Sequence, residues 1–174
     1  SQNPKMLWKV LYEISKANKS FRKDFSLKLI GSFDKSIHQN KHLKKLKENV
    51  VFKDYMSKDT LAENLSIGKV FILCDVDQLD GGNLIPGKFF HYLSYKIPII
   101  AFSSINSDTY NIVKETKSGN VFDFSNEIDL KNHILELYSN FKNGNCLVNT
   151  NDIERYKYSN LSSELRDVIN KINN

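Results

Sequence analysis

Five short apolar runs, LKLIG, NVVF, KVFILCD, IPIIAF and NVFDF, punctuate the 174-residue chain, and segments of helical character separate them. No other feature constrains the fold as strongly. A continuous apolar run such as KVFILC is the kind of strand a parallel sheet buries on both faces. Strands that alternate with helices imply parallel pairing through right-handed crossovers. The expectation is an α/β protein with a doubly wound, Rossmann-like, mostly parallel sheet of about five to six strands.

The intervening segments support this. PKMLWKVLYEISKANK repeats Leu7, Val10, Leu11 and Ile14 at helical spacing, and Pro4 suits a first turn. SIHQNKHLKKLK reads as one helix, with Leu43 and Leu46 inward and its lysines outward. DTLAENLSIG, KFFHYLSYK, DTYNIVKETKSG and EIDLKNHILELYSNFK read as further helices, Gly68 and Gly119 closing the first and third, and SSELRDVINKI as the last. There are no internal repeats and no linker, so residues 1–174 read as one domain. A doubly wound half-domain commonly opens with a central strand, whereas this sequence opens with a helix. The expectation is a fragment of a longer protein, entered just after a strand.

Composition excludes several classes. No run of 18 apolar residues exists, and the polar start SQNPKMLWK is not a secretory signal. Cys74 and Cys146 lack metal-ligand spacing, and Cys74 lies in an apolar run as a reduced core thiol would, so a cytoplasmic location is expected. The net charge of +5 is uneven, residues 1–50 carrying +8 and the remainder −3. The excess is densest at Lys41, Lys44, Lys45 and Lys47, with no interleaved aromatic residues. A solvated helix face accounts for it, and no nucleic-acid partner is expected.

Ligands of open α/β sheets sit beyond the carboxyl ends of the strands, here Gly31-Ser32, Lys53 to Met56, Asp75 to Gly87, Ser103-Ser104 and Ser125. The third segment contains GNLIPGKF (residues 82–89), which has the G-x4-GK spacing of a phosphate-binding P-loop. Phe89 cannot supply the hydroxyl for Mg²⁺, and Pro86 removes an N–H from the cradle. Asp75, Asp77 and Asp80 miss the positions of a calcium loop, and His38 and His42 lack a third ligand, so no metal is expected. No nucleophile turn is present either. What remains is Lys88 in a first helical turn after Gly81, Gly82 and Gly87. A lysine there, beside free backbone N–H groups, suits a diphosphate.

The run PGKFFHYLSYKIPIIAF (residues 86–102) resembles the donor-site helix of family 4 glycosyltransferases of the GT-B type, whose usual form is P-x-K-x-x-E-Y-L-x-x-x-x-P-I-I-A. NVVFKDYMSKDTLAENLSIGKVFILC resembles the segment before that helix in the family, and SDTYNIVKETKSGNVFDF the segment after it. The resemblance covers nearly the whole chain. It implies the C-terminal, nucleotide-sugar-binding half of a two-domain enzyme, inactive without its N-terminal half. Such an enzyme moves a sugar from a nucleotide diphosphate sugar, without a metal or other cofactor, to a saccharide or lipid-linked acceptor, at most peripherally on a membrane. Lys88 would neutralise the donor diphosphate. Asn83, Leu84, Ile85, Pro86 and Gly87 would approach sugar and phosphates through backbone atoms, and Tyr55 and Met56 would lie against the base. Asn83 and His91 stand where the acidic form of the motif has Glu, the second of which holds the ribose. Either the ribose is held differently here, or the donor site is degraded and the chain is a non-catalytic pseudoenzyme or partner subunit of a glycosyltransferase. A further possibility for His91 is a helix residue that faces the sheet.

Overall fold

The computed structural model describes residues 3–74, 85–123 and 125–156, together with 160, 162, 166, 169 and 170. All five apolar runs form strands: β1 (Leu27–Ile30), β2 (Val50–Lys53), β3 (Phe71–Cys74), β4 (Ile99–Phe102) and β5 (Gly119–Phe122). Between and around them run α1 (Lys5–Ala17), α2 (Lys19–Asp24), α3 (Lys35–His38), α4 (Lys41–Lys45), α5 (Lys58–Ser66), α6 (Lys88–Leu93), α7 (Asp108–Thr116) and α8 (Glu127–Lys142). Every strand pairing is parallel, which fits the α/β expectation.

The single sheet of five to six strands is corrected to two sheets, one of order β1-β2 and one of order β3-β4-β5. Among the described residues no strand bridges β1 and β3. The two sheets nevertheless share a core layer. α1 buries Leu7, Trp8, Val10, Leu11 and Ile14 in one cluster with Leu27 and Leu29 of β1, Cys74 of β3, Ile100 and Phe102 of β4 and Phe122 of β5. The buried indole N–H of Trp8 donates to Asn3 Oδ1 at 2.9 Å, so its polar end is satisfied. On the opposite face, Phe89 and Leu93 of α6 and Ile112 and Val113 of α7 pack on Phe71, Leu73, Ile99 and Ala101. β4 is therefore buried on both faces, as its unbroken apolar sequence requires.

Local chemistry explains the remaining differences. The expected helix 36–47 is two helices, because the Asn40 side chain accepts from the N–H groups of His42 and Leu43 and caps a new start. Asn18 likewise accepts from the Phe21 N–H at 3.0 Å and opens the unexpected α2, which buries Phe21. Pro4 is the N-cap of α1 rather than part of its first turn. α6 stops at Leu93, and Lys96 beyond it is left-handed with φ 53°. Gly119 does not close α7. Lys117 does so at φ 50°, and Gly119 opens β5 so close to β4 that an added Cβ would lie 1.9 Å from the Ile99 carbonyl oxygen. A short 3-10 turn, Ile153–Tyr156, was not foreseen. Of the closing helix 162–172, residues 162, 166, 169 and 170 are helical, and the rest lies outside the described residues. Among the described residues no helix is long and apolar enough to cross a membrane.

Candidate functional site

The carboxyl ends of β1 and β2 hold an open cleft of about 230 Å³, lined mainly by Gly31, Phe33, His38, Phe52, Asp54 and Tyr55. Its walls are aromatic. Phe52, the third residue of β2, stacks on His38 with ring centroids 4.5 Å apart and meets Phe33 edge-on at 6.1 Å. Both Phe33 and His38 come from the β1–β2 crossover. Asp34 fixes their spacing by capping α3 through the Ser36 N–H at 2.8 Å. Hydrogen bonds from the Ser36 side chain and backbone hold its carboxyl below the usual carboxylate range. Tyr55 lies 82 % exposed over Gly31, its ring 3.5 Å from where a Cβ would stand. Gly31 follows β1 at φ 111°, a conformation that side chains rarely adopt, so the turn itself requires the glycine.

Of the two residues that the resemblance sets against a base, Tyr55 lines the cleft and Met56 does not. The Met56 sulfur accepts from Asn64 Nδ2 of α5 at 3.7 Å. Asn64 also donates to the Thr60 carbonyl at 2.9 Å and accepts from Lys28 of β1 at 3.3 Å, which draws Met56 toward α5.

The second group of expected residues surrounds α6. Lys88 is exposed at the helix start, and His91 is exposed one turn later on the same side. The possibility that His91 faces the sheet is corrected: Phe89 and Leu93 occupy that face, at 0 % and 3 % exposure. The His91 ring meets Tyr95 edge-on at 5.4 Å, and its carbonyl accepts from Ser94 Oγ at 2.7 Å. Gly87 caps the helix without a side-chain bond, and an added Cβ there would meet none of the described residues within 4 Å. Pro86 accepts from the Phe89 N–H at 2.8 Å, and Ile85 packs against the core under α6. Asn83 and Leu84 lie outside the described residues, as does all of 75–84.

Electrostatics ties Lys88 to the end of β3. Burial pushes the Cys74 thiol up to about 11, and the positive charge of Lys88 works in the opposite direction. Cys74 is free and buried, as its apolar run implied. Both groups of residues therefore stand at the carboxyl ends of strands, one after β1 and β2 and one after β3.

Sequence reasoning missed Phe33, His38 and Phe52. Their signal was present, since Gly31 and Phe52 close two neighbouring apolar runs, but His38 was read with His42 as part of one lysine-rich helix. The break at Asn40 separates them, and His42 stacks on Tyr12 at 5.7 Å instead. Among the described residues no cluster of three or more His, Cys, Asp or Glu could hold a metal. Comparison with family models, with curated proteins and with solved structures returns no match.

Proposed function

We propose that this chain binds a nucleoside diphosphate group across the carboxyl ends of its strands, as the donor-binding domain of a glycosyltransferase. The observation that carries the reading is the aromatic cleft at Gly31, His38, Phe52 and Tyr55, with the exposed Lys88 on the helix that follows β3. A flat, open, partly polar cleft with a free tyrosine ring suits a base, because every base offers a stacking face. Lys88 and the first N–H groups of α6 suit the diphosphate. In transfer, negative charge builds on the departing diphosphate. Lys88 and those N–H groups would stabilise it in place of a metal, while the sugar passes to a saccharide or lipid-linked acceptor held by another domain. The resemblance of residues 86–102 to the donor helix supports the same assignment, with Ile85 acting through its backbone because its side chain belongs to the core.

A second reading, a non-catalytic partner subunit with a degraded donor site, is favoured by one residue. His91 turns toward Tyr95 and offers no carboxylate for a ribose. Calorimetry with uridine and guanosine diphosphates on the wild type, Lys88→Ala and His91→Glu separates the two. Saturable binding that weakens at least about tenfold in Lys88→Ala, equivalent to about 1.4 kcal/mol, supports the donor domain. Binding of neither nucleotide by any of the three proteins supports the partner subunit.

A further inference from the structure

The rings of the cleft at the ends of β1 and β2 offer stacking faces, and a stacking face does not tell one base from another. Choice between bases comes from hydrogen bonds to the base edge. The groups that could make them stand where β2 ends. The Gly31 N–H donates to the Lys53 carbonyl at 2.9 Å, and among the described residues this is the last bond between the two strands. Asp54 is therefore the first residue beyond the ladder. Three residues later Ser57 caps α5, its hydroxyl accepting from the Thr60 N–H at 3.2 Å. Met56, between them, is tied to Asn64 of α5. Asp54 and Tyr55 thus sit on a short link held at both ends, and both line the cleft.

Of the residues lining the cleft, Asp54 is the one carboxylate, and Lys53 beside it is the one ammonium. Among the described residues neither side chain has a hydrogen-bond or ion-pair partner, the other included. The neighbouring carboxylates are committed elsewhere. Asp34 accepts from the Ser36 N–H at 2.8 Å, and Glu48 pairs with Arg22 at 3.1 Å. Asp54 therefore brings two uncommitted oxygens to the cleft, which as a carboxylate can only accept, and Lys53 brings N–H groups that can only donate. Rings for the faces and one opposed pair of charges for the edge make the cleft selective in kind, not merely adhesive.

We infer that Asp54 selects guanine, which rests on the reading of the cleft as the seat of the base of a nucleoside diphosphate. Guanine alone among the common bases shows two N–H donors side by side, the N1–H and the 2-amino group. A carboxylate accepts both as a bidentate pair. The neighbouring O6 is an acceptor and suits the Lys53 ammonium. Uracil has one N–H between two carbonyl oxygens, so the same carboxylate gains one bond and faces two acceptors. Adenine and cytosine set one amino group beside an unprotonated ring nitrogen, again a single donor. The rings of Phe52, His38 and Tyr55 hold any of these bases, and Asp54 sets the choice among them. The donor is then a guanosine diphosphate sugar, and uridine diphosphate is a weaker ligand held by the rings and Lys88.

Calorimetric titration of the 174-residue chain with guanosine, inosine, adenosine and uridine diphosphates tests the selection. Guanosine diphosphate should bind more tightly than the adenosine and uridine compounds by a factor of about 5 to 150, the discrimination expected of one bidentate pair. Inosine diphosphate, which lacks the 2-amino group, should fall between. Asp54→Asn should bring guanosine diphosphate down to the level of uridine diphosphate. The same variant should bind xanthosine diphosphate above both, because the C2 carbonyl of xanthine accepts from the new amide while N1–H donates to its oxygen. Its urea midpoint should match the wild type, since Asp54 has no partner to lose. Equal affinity of the wild type for guanosine and uridine diphosphates, or a preference for uridine or adenosine diphosphate, overturns the selection and leaves the nucleoside diphosphate reading standing. So does a guanine preference that survives in Asp54→Asn. Binding of none of the four nucleotides by the wild type overturns both.

Discussion

The two half-sheets are built to opposite rules. β4, flanked on both edges and covered on both faces, has every residue at 3 % exposure or less. In β2, Val51 and Phe52 are 39 % and 40 % exposed. A strand sealed on both faces supports rigid packing, whereas a strand with one open face can hold a ligand. The contrast separates two surroundings within a short chain: β4 is sealed by neighbours on both faces, whereas the ends of β1 and β2 border the open cleft. The single tryptophan, Trp8, is buried where both halves meet and so reports on the loss of either.

The sharpest way to break this contrast is to remove one phenylalanine from each half. Phe89→Ala empties a site of 0 % exposure beneath α6 and should cost about 3–5 kcal/mol in urea unfolding followed by Trp8 fluorescence. Phe52→Ala should cost no more than about 1 kcal/mol, since its ring is already part-solvated. Equal losses would abolish the distinction. A somewhat smaller effect is expected from Gly119→Ala, where a methyl group meets β4 backbone and the strands must shift, at about 1–3 kcal/mol. Tyr55→Ala should sharpen the comparison from the open side. Stability should change by no more than about 0.5 kcal/mol, while nucleoside diphosphate affinity falls by a factor of about 5 to 100, the range expected for loss of one base–aromatic stack.

The smallest effect concerns pH. Burial lowers the His133 pKa below its usual value, opposed by Glu136, and lowers that of His42, helped by Lys41 and Lys45. For a histidine whose folded pKa is depressed, the unfolded chain takes the proton first. Its contribution is fully present above about pH 6.5 and is lost as pH falls below that. Asp24 and Asp123 are held below the usual carboxylate range by hydrogen bonds, from Tyr138 first and from Ser125 first respectively, so their losses begin only in stronger acid. The urea midpoint should therefore fall between pH 7.5 and 5.5, and His133→Gln should flatten that fall. An unchanged slope in the variant would remove His133 from the account.

Much of the fold was legible because its strands are mostly apolar. LKLI, KVFILC and IPIIAF admit few other readings, and the inward set Leu7, Val10, Leu11 and Ile14 of α1 followed from spacing alone. Side chains that bond to nearby backbone were the main source of error. Asn40 starts a helix inside what spacing alone joins into one, Asn18 starts one where the expected first helix ends, and Gly119 was taken for a helix end when its role is close approach to β4. Strand order was the least legible feature, because each run looks equally capable of pairing while the division between β1 and β3 depends on which edges meet. In the candidate site, Lys88 was singled out by its place in a first helical turn after a strand and Tyr55 through the resemblance. His38 was not, because the aromatic contact that gives it a role is with Phe52, fourteen residues along on another element.

The central claim is that the aromatic cleft and Lys88 receive one ligand, and an NMR titration of the backbone amides with uridine diphosphate, inorganic pyrophosphate and uridine tests it most directly. The account predicts that the diphosphate shifts resonances at both Gly31–Tyr55 and Gly87–Lys88, with one shared affinity. Pyrophosphate should move mainly the second group and uridine mainly the first. Shifts confined to one group with the full nucleotide, or no saturable shift at either, would contradict it.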